Sequence, residues 1–103
     1  MINSMTVAEK IKQRRLQMIV HSTIYYIYND NIVSDIQWSK WAKELETLQN
    51  RYPEISSGVE YAEYFKDWDG STGFNLPIDD EWALRKAEQL MKWRERSTSK
   101  RND

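Results

Sequence analysis

From Thr6 to Tyr28 the chain has neither glycine nor proline, and its apolar residues recur at helical spacing. Val7, Ile11, Met18 and Tyr25 form one stripe, which Leu16, Ile19 and Ile27 widen. Thr6-Val-Ala-Glu9 at its start fits a capping box, in which the threonine and the glutamate each satisfy an orphan amide. This pattern predicts a helix over 6–28. Asn29-Asp30-Asn31 ends it, because short polar side chains compete for backbone hydrogen bonds. Ser34-Asp35-Ile36-Gln37 is a second box. Behind it Trp38, Trp41, Leu45, Leu48 and Tyr52 alternate steps of three and four, which predicts a helix over 35–51 with one apolar seam. Pro53 sets its stop, since the residue before a proline avoids the helical region. The short connection makes the two helices an antiparallel hairpin.

Ser57-Gly-Val-Glu60 is a third candidate box and predicts a helix over 58–68, crowded with Tyr61, Tyr64, Phe65 and Trp68. "DGSTGFNLP" follows and holds two of the 3 glycines and one of the 2 prolines. It reads as an ordered loop with Phe74 and Leu76 as plugs. A last helix is predicted over 79–96. Asp79, Asp80 and Glu81 suit its positive N-terminus better than they suit a metal site. Its inner face would be Ala83, Leu84, Ala87, Leu90 and Met91. The polar stretch 97–103 is expected to fray. No strand alternation or internal repeat is visible. The expectation is a single all-α domain over 1–103. Its four helices are built on the hairpin at 5–55, with additional helices over 56–96.

With 103 residues the chain suits one compact domain. Its 15 basic and 16 acidic residues leave a net charge of −1. That excludes a whole-protein basic field, so direct nucleic-acid binding is not expected. Arg14-Arg15 and Lys100-Arg101 are too small to change that. There is no cysteine, so disulfides and thiolate metal sites are excluded. The longest apolar run, Met18–Val20, is far too short to span a membrane. The charged N-terminal stretch does not read as a signal peptide. The expectation is a cytoplasmic protein. One histidine and no cysteine leave no nucleophile–base pair of the common kinds. No catalytic residue and no metal site are assigned.

"YYIYNDNIVSDIQW", Tyr25 to Trp38, places paired aromatics beside a turn and a carboxylate. With the closing motif Glu44-Leu45, Leu48 and Pro53-Glu54-Ile55, the stretch from about His21 to Ile55 resembles the N-terminal helical domain, Ia, of bacterial NAD-dependent DNA ligases. That family carries a pattern like Y-Y-x-x-D-x-P-x-I-S-D-x-x-Y-D. The resemblance implies a module that grips the nicotinamide mononucleotide half of NAD, with Tyr25, Tyr26 and Asp35 as contacts and Trp38 at the place of a further tyrosine. Trp38 keeps a ring but loses the hydroxyl. Ser39 replaces an aspartate, and Asn31 replaces the usual proline. His21 matches a histidine seen in many members, though it reads as an ordinary helix residue. No room is expected within these 103 residues for the adenylation domain that such ligases need, with its K-x-D-G lysine. "KDWDG" at Lys66–Gly70 is one residue too long, and Lys66 is not read as a nucleophile.

The chemistry of such a site is independent of the family. The nicotinamide ring of NAD is flat and cationic, so tyrosine and tryptophan faces attract it, and a nearby carboxylate adds charge complementarity. The amides at the start of the second helix could face a phosphate, which Asp35 would partly oppose. The same residues also admit a structural reading. Tyr25 and Tyr26 would fasten the hairpin, and Asp35 would serve the helix dipole. Two functions therefore stand: a non-catalytic module with weak affinity for nicotinamide mononucleotide or NAD, or a protein-interaction module. The latter would be an accessory or inhibitor protein of a phage or mobile element, acting on a host protein. Trp82 and Trp93, about three turns apart, point to one side of the last helix with Lys86 and Gln89 between them. At least one is expected to be partly exposed and to meet a second copy or a partner.

Overall fold

A computed structural model describes residues 5–68 and 70–101. Five helices follow one another: α1 (Val7–Tyr26), α2 (Asp35–Arg51), α3 (Pro53–Ser57), α4 (Ala62–Phe65) and α5 (Glu81–Arg101). No strand occurs among the described residues, and the domain is all-α as expected.

The first capping box forms in full. Thr6 Oγ1 accepts from the Glu9 amide at 3.1 Å, and the Thr6 amide donates to Glu9 Oε1 at 2.8 Å. Those bonds hold the Glu9 carboxyl below the ordinary glutamate range. At its other end α1 stops two residues earlier than predicted. Asn29 adopts a left-handed conformation, φ 55°, and the Asp30 amide reaches back to the Ile24 carbonyl at 3.1 Å. This closes off the orphan carbonyls with asparagine where glycine is more usual. The limits of α2 are those predicted, with Ser34 Oγ accepting from the Gln37 amide.

Of the helix predicted over 58–68 only the short α4 forms, and α3 precedes it, so four expected helices become five. Ser57 does not cap, because its hydroxyl donates to the Glu54 carbonyl at 2.8 Å. Pro53 opens the short α3 instead, at the one helical position where its missing amide costs nothing. The chain then turns through Gly58–Glu60, and Tyr61 takes φ 69° before α4. The last helix begins at Glu81, two residues later than predicted. The Asp80 carboxylate caps it by accepting from the Trp82 amide at 3.3 Å, and the Asp80 carbonyl accepts from the Leu84 amide. The helix continues to Arg101, into the stretch 97–103 that was expected to fray. Residues 102–103 of that stretch lie outside the described residues.

Cross-contacts fix the directions. Arg15 meets Gln49 while His21 meets Trp41, so α2 runs antiparallel to α1. Ala83 joins Ile11, Met18 and Ile19, Ala87 joins Val20 and Ile24, and Arg94 reaches Asp30 beyond the end of α1. Thus α5 lies beside α1 and runs the same way. The core gathers Ile11, Met18, Ile19, Leu45, Phe65, Leu76 and Ala83. On α5 only the alanines of the predicted inner face are fully covered, while Leu84, Leu90 and Met91 are half-buried.

Two predicted core placements are corrected. Tyr25 and Ile27, read as part of the α1 stripe, are exposed, Tyr25 by 56%. The stripe ends at Ile24 because the last turn of α1 borders the opening between α1 and α2 rather than the core. Phe74, expected as a plug, is 63% exposed and lies edge-on to Tyr26. Ile78 plugs beside Leu76 in its place, its carbonyl accepting from the buried Thr23 hydroxyl at 2.8 Å. Trp82 packs against the core with its indole N–H donating to the Tyr61 hydroxyl, whereas Trp93 is 62% exposed.

Arg15 is the feature that sequence patterning missed. It is only 1% exposed, at steps of four and three between Ile11 and Met18 of the apolar stripe. Its guanidinium donates to Gln49 Oε1 (2.9 Å), the carbonyls of Val59 (2.9 Å), Glu60 (3.0 Å) and Ser56 (3.1 Å), and Ser56 Oγ (2.7 Å). Burial pushes its pKa down to about 10, so it stays charged at neutral pH. Its neighbour Arg14 pairs with Glu44 at 2.9 Å and lies over the Trp41 ring. The arginine pair of the sequence is therefore committed to holding the hairpin.

Candidate functional site

The last two turns of α1 carry His21, Ser22, Tyr25 and Tyr26 on one side, at steps of three and four that bring them to one face. The first turns of α2 carry Asp35, Trp38 and Ser39 in the same way. Because the helices are antiparallel, these two sets face one opening, a cleft of about 360 Å³. Asn31, Ile32 and Val33 of the connecting loop close one end, and Gly70–Gly73 form a further wall. The structure thus brings together all four residues singled out for a nucleotide, Tyr25, Tyr26, Asp35 and Trp38. It adds His21, which sequence reasoning set aside, and places Ser39 in the same lining. Trp82, Trp93 and Lys66 are not in it. Lys66 lies exposed past α4, beside a separate groove lined by Gln49, Pro53, Phe65 and Trp68.

The aromatic rings are ordered relative to one another. Tyr25 and Tyr26 meet edge to face at 4.9 Å, and Tyr26 meets Phe74 at 5.4 Å. Trp38 lies edge-on to Trp68 at 6.3 Å. Such arrangements suit the ring quadrupole. They also divide the tyrosines. The Tyr26 hydroxyl is bonded to the Thr72 hydroxyl at 2.8 Å, which fixes that ring to the loop, whereas Tyr25 stands at the rim.

The loop wall is tightly seated. Trp68 Nε1 donates to the Thr72 carbonyl at 2.7 Å, and the Phe74 amide donates to Thr72 Oγ1 at 3.2 Å. Gly70 has φ +81°, a conformation that glycine adopts without penalty. At Gly73 a Cβ would stand 1.9 Å from Ser22 Oγ, so only glycine lets the loop lie this close to α1. Beneath it Ser22 Oγ and His21 Nδ1 are buried with no hydrogen-bond partner among the described residues. Burial lowers the His21 pKa, and the ring is neutral at neutral pH.

The end of the cleft closed by the connecting loop is held by α5. Arg94 Nη2 pairs with Asp30 Oδ2 at 2.6 Å, and Arg94 Nη1 donates to the Asn31 carbonyl at 3.0 Å. The Asp30 carboxyl is held below the ordinary aspartate range by Arg94 first and by the Asn31 amide second. The Tyr28 hydroxyl donates to Glu88 Oε2 at 2.7 Å, which raises the Tyr28 pKa. Residues far along the chain thereby set the shape of the turn that carries Asn31–Val33.

Sequence reasoning missed Ser22, Ile32, Val33 and the Gly70–Gly73 wall. The two glycines of "DGSTG" signalled an ordered loop, but nothing in the chain said where it docks. No group of three or more His, Asp or Glu side chains that could hold a metal ion occurs among the described residues. No described helix is long and apolar enough to cross a membrane.

The chain is 42% identical over 50 residues to a DNA ligase of Bacteroides fragilis. The matched stretch is 48% of this chain and 8% of that ligase, so the chain contains a ligase-related region and corresponds to a small part of its relative. No family model matches the chain, and no solved structure matches it.

Proposed function

We propose that the ligase-related region is an Ia-type hairpin, and that its cleft binds the nicotinamide mononucleotide half of NAD without performing chemistry on it. The observation that carries this reading is the convergence of Tyr25, Tyr26, Asp35 and Trp38 on one cleft of about 360 Å³. Aromatic faces attract a flat cationic ring, and the Asp35 carboxylate complements its charge. Lys66, outside the cleft, takes no part. Binding by these residues is weak, because the cleft is open on one side and encloses a ligand only in part. Titration with nicotinamide mononucleotide shifts the NMR signals of Tyr25, Tyr26 and Trp38 together, with saturation at high micromolar ligand or above. Unmoved signals at several millimolar would end this reading.

A second reading is favoured by one observation, the exposed indole of Trp93. Large exposed rings are enriched where proteins meet. On this reading the chain is a cytoplasmic accessory protein of a phage or mobile element, and α5 is the surface that meets a host protein or a second copy. Sedimentation then shows a dimer for the parent chain and a monomer for Trp93→Ala. A monomeric parent removes the second copy as the occupant of that surface.

A further inference from the structure

Three rings stand in a row at the rim of the cleft, and one of them, Phe74, lies outside its lining. Tyr26 is in the middle, 5.4 Å from Phe74 and 4.9 Å from Tyr25. Phe74 and Tyr25 are exposed. Both ring pairs are edge-on, with interplanar angles of 72° and 87°, so a notch separates each ring from the next. The row is also held in shape. The Tyr26 hydroxyl is bonded to the Thr72 hydroxyl, which accepts from the Phe74 amide. A contiguous exposed apolar patch that is fixed in place marks a surface that meets something.

Notches between rings, hydrogen-bond donors beside them and a carboxylate suit a polyproline II segment. Such a segment is extended and ordered before it docks, so it loses little entropy on binding. Its proline rings pack on aromatic faces, and its carbonyls, which make no internal hydrogen bond, need donors. One turn of it is about 9 Å long, and the row spans at most about 10 Å. The Tyr25 hydroxyl and the indole N–H of half-buried Trp38 have no acceptor among the described residues, and both side chains line the cleft beside the row.

The charges narrow the occupant further. Among the described lining residues there is one carboxylate, Asp35, and no lysine or arginine. Asp35 forms no ion pair among the described residues. A basic residue beside the prolines is complemented there. A nucleic-acid strand also stacks on rings, but it needs a positively charged groove. A second copy does not supply the segment, because the chain's 2 prolines are Pro53, which opens α3, and the distant Pro77.

We propose that the row of Phe74, Tyr26 and Tyr25 docks a proline-rich segment of another protein, with Asp35 meeting a basic residue that flanks the prolines. This goes beyond the nicotinamide reading and does not need it. The two ligands share Tyr25, Tyr26 and Asp35 and exclude one another, whereas Phe74 serves the peptide alone.

Fluorescence anisotropy of the whole chain with a labelled hexaproline peptide, bearing an arginine at each end, tests this. Saturable binding is expected, about tenfold tighter than that of a glycine–serine peptide with the same length and ends. It should be about threefold tighter than that of hexaproline with glutamate ends, a difference that raised salt shrinks. Phe74→Ala changes an exposed position and should weaken the arginine-ended peptide about fivefold. Any affinity of the parent for nicotinamide mononucleotide should persist in that variant. No binding at millimolar hexaproline, equal binding of the glycine–serine peptide, or a Phe74→Ala protein that binds as the parent does overturns the inference and leaves the nicotinamide reading untouched. A parent dimer that Phe74→Ala makes monomeric also overturns it, with a second copy as the occupant. Peptide binding without mononucleotide binding ends the nicotinamide reading and leaves this inference standing.

Discussion

Arg15→Ala is expected to lower the stability of the fold by about 3 kcal/mol or more, the cost of leaving several buried acceptors without a donor. Arg15 donates five hydrogen bonds, to Gln49 on α2 and to the backbone and side chain of the Ser56–Glu60 turn. Three of the acceptors are carbonyls of a segment whose own helices are five and four residues long. Helices that short have no stability of their own. The guanidinium also lies over the Phe65 ring at 5.4 Å, so truncation removes packing as well as charge. For a domain of this size the loss corresponds to a melting temperature lower by about 10 °C or more. Arg15→Lys should recover only a small part of it, because an ammonium group has three donors and no planar fork. A melting temperature within a few degrees of the parent would show that Phe65 alone holds the turn.

Arg15 also explains which parts of the fold were legible in the sequence. The hairpin was, because its signals are local. Thr6 with Glu9, Ser34 with Gln37, and the apolar seams of α1 and α2 all act within one or two turns. The region after Pro53 was not. Ser57-Gly-Val-Glu60 looks like a capping box, but the conformation there is dictated by Arg15, more than forty residues away, pulling on the carbonyls of Ser56, Val59 and Glu60. Tertiary hydrogen bonds override a weak local preference at such a place. Placing Arg15 inside would have required knowing that a ring of carbonyls awaited it, and a charged residue is almost never fully buried unless paired.

The cleft divides in the same way. Tyr25, Tyr26, Asp35 and Trp38 were named through the resemblance to the ligase Ia pattern, and they face one opening because the two helices that carry them are themselves readable. Phe74 was misplaced, and the loop wall was missed, because both depend on contacts between residues about fifty apart in the chain, Tyr26 with Thr72 and Ser22 with Gly73. Arg94 belongs with them. It shapes the Asp30–Asn31 turn from the far helix, and nothing near either end of that contact announces it.

Gly73→Ala is expected to destroy the cleft and to cost about 1–3 kcal/mol of stability, the usual range for overfilling a packed contact. The added methyl would stand 1.9 Å from Ser22 Oγ and 2.7 Å from Ser22 Cβ. Neither atom has room to yield, since Ser22 sits in the middle of an α1 turn and is buried. The loop must move instead. Leu76 and Ile78, just after it, are anchored in the core, so the shift concentrates on Gly70–Gly73. The Tyr26–Thr72 and Trp68–Thr72 bonds break with it. The expected signature is a changed NMR environment for Tyr26, Trp68 and Thr72 with the α1–α5 core unaltered, together with loss of nicotinamide mononucleotide binding if the cleft has the role proposed above. Ser22→Gly removes both obstructing atoms, at a helix cost of about 0.5–1 kcal/mol relative to alanine. The double variant Gly73→Ala/Ser22→Gly should therefore be more stable than the sum of the single changes, by about 0.5–3 kcal/mol of coupling. Additive single effects, or a Gly73→Ala protein with the Tyr26 signal of the parent, would mean that the loop is not seated on α1 and that the wall of the cleft is not the one described.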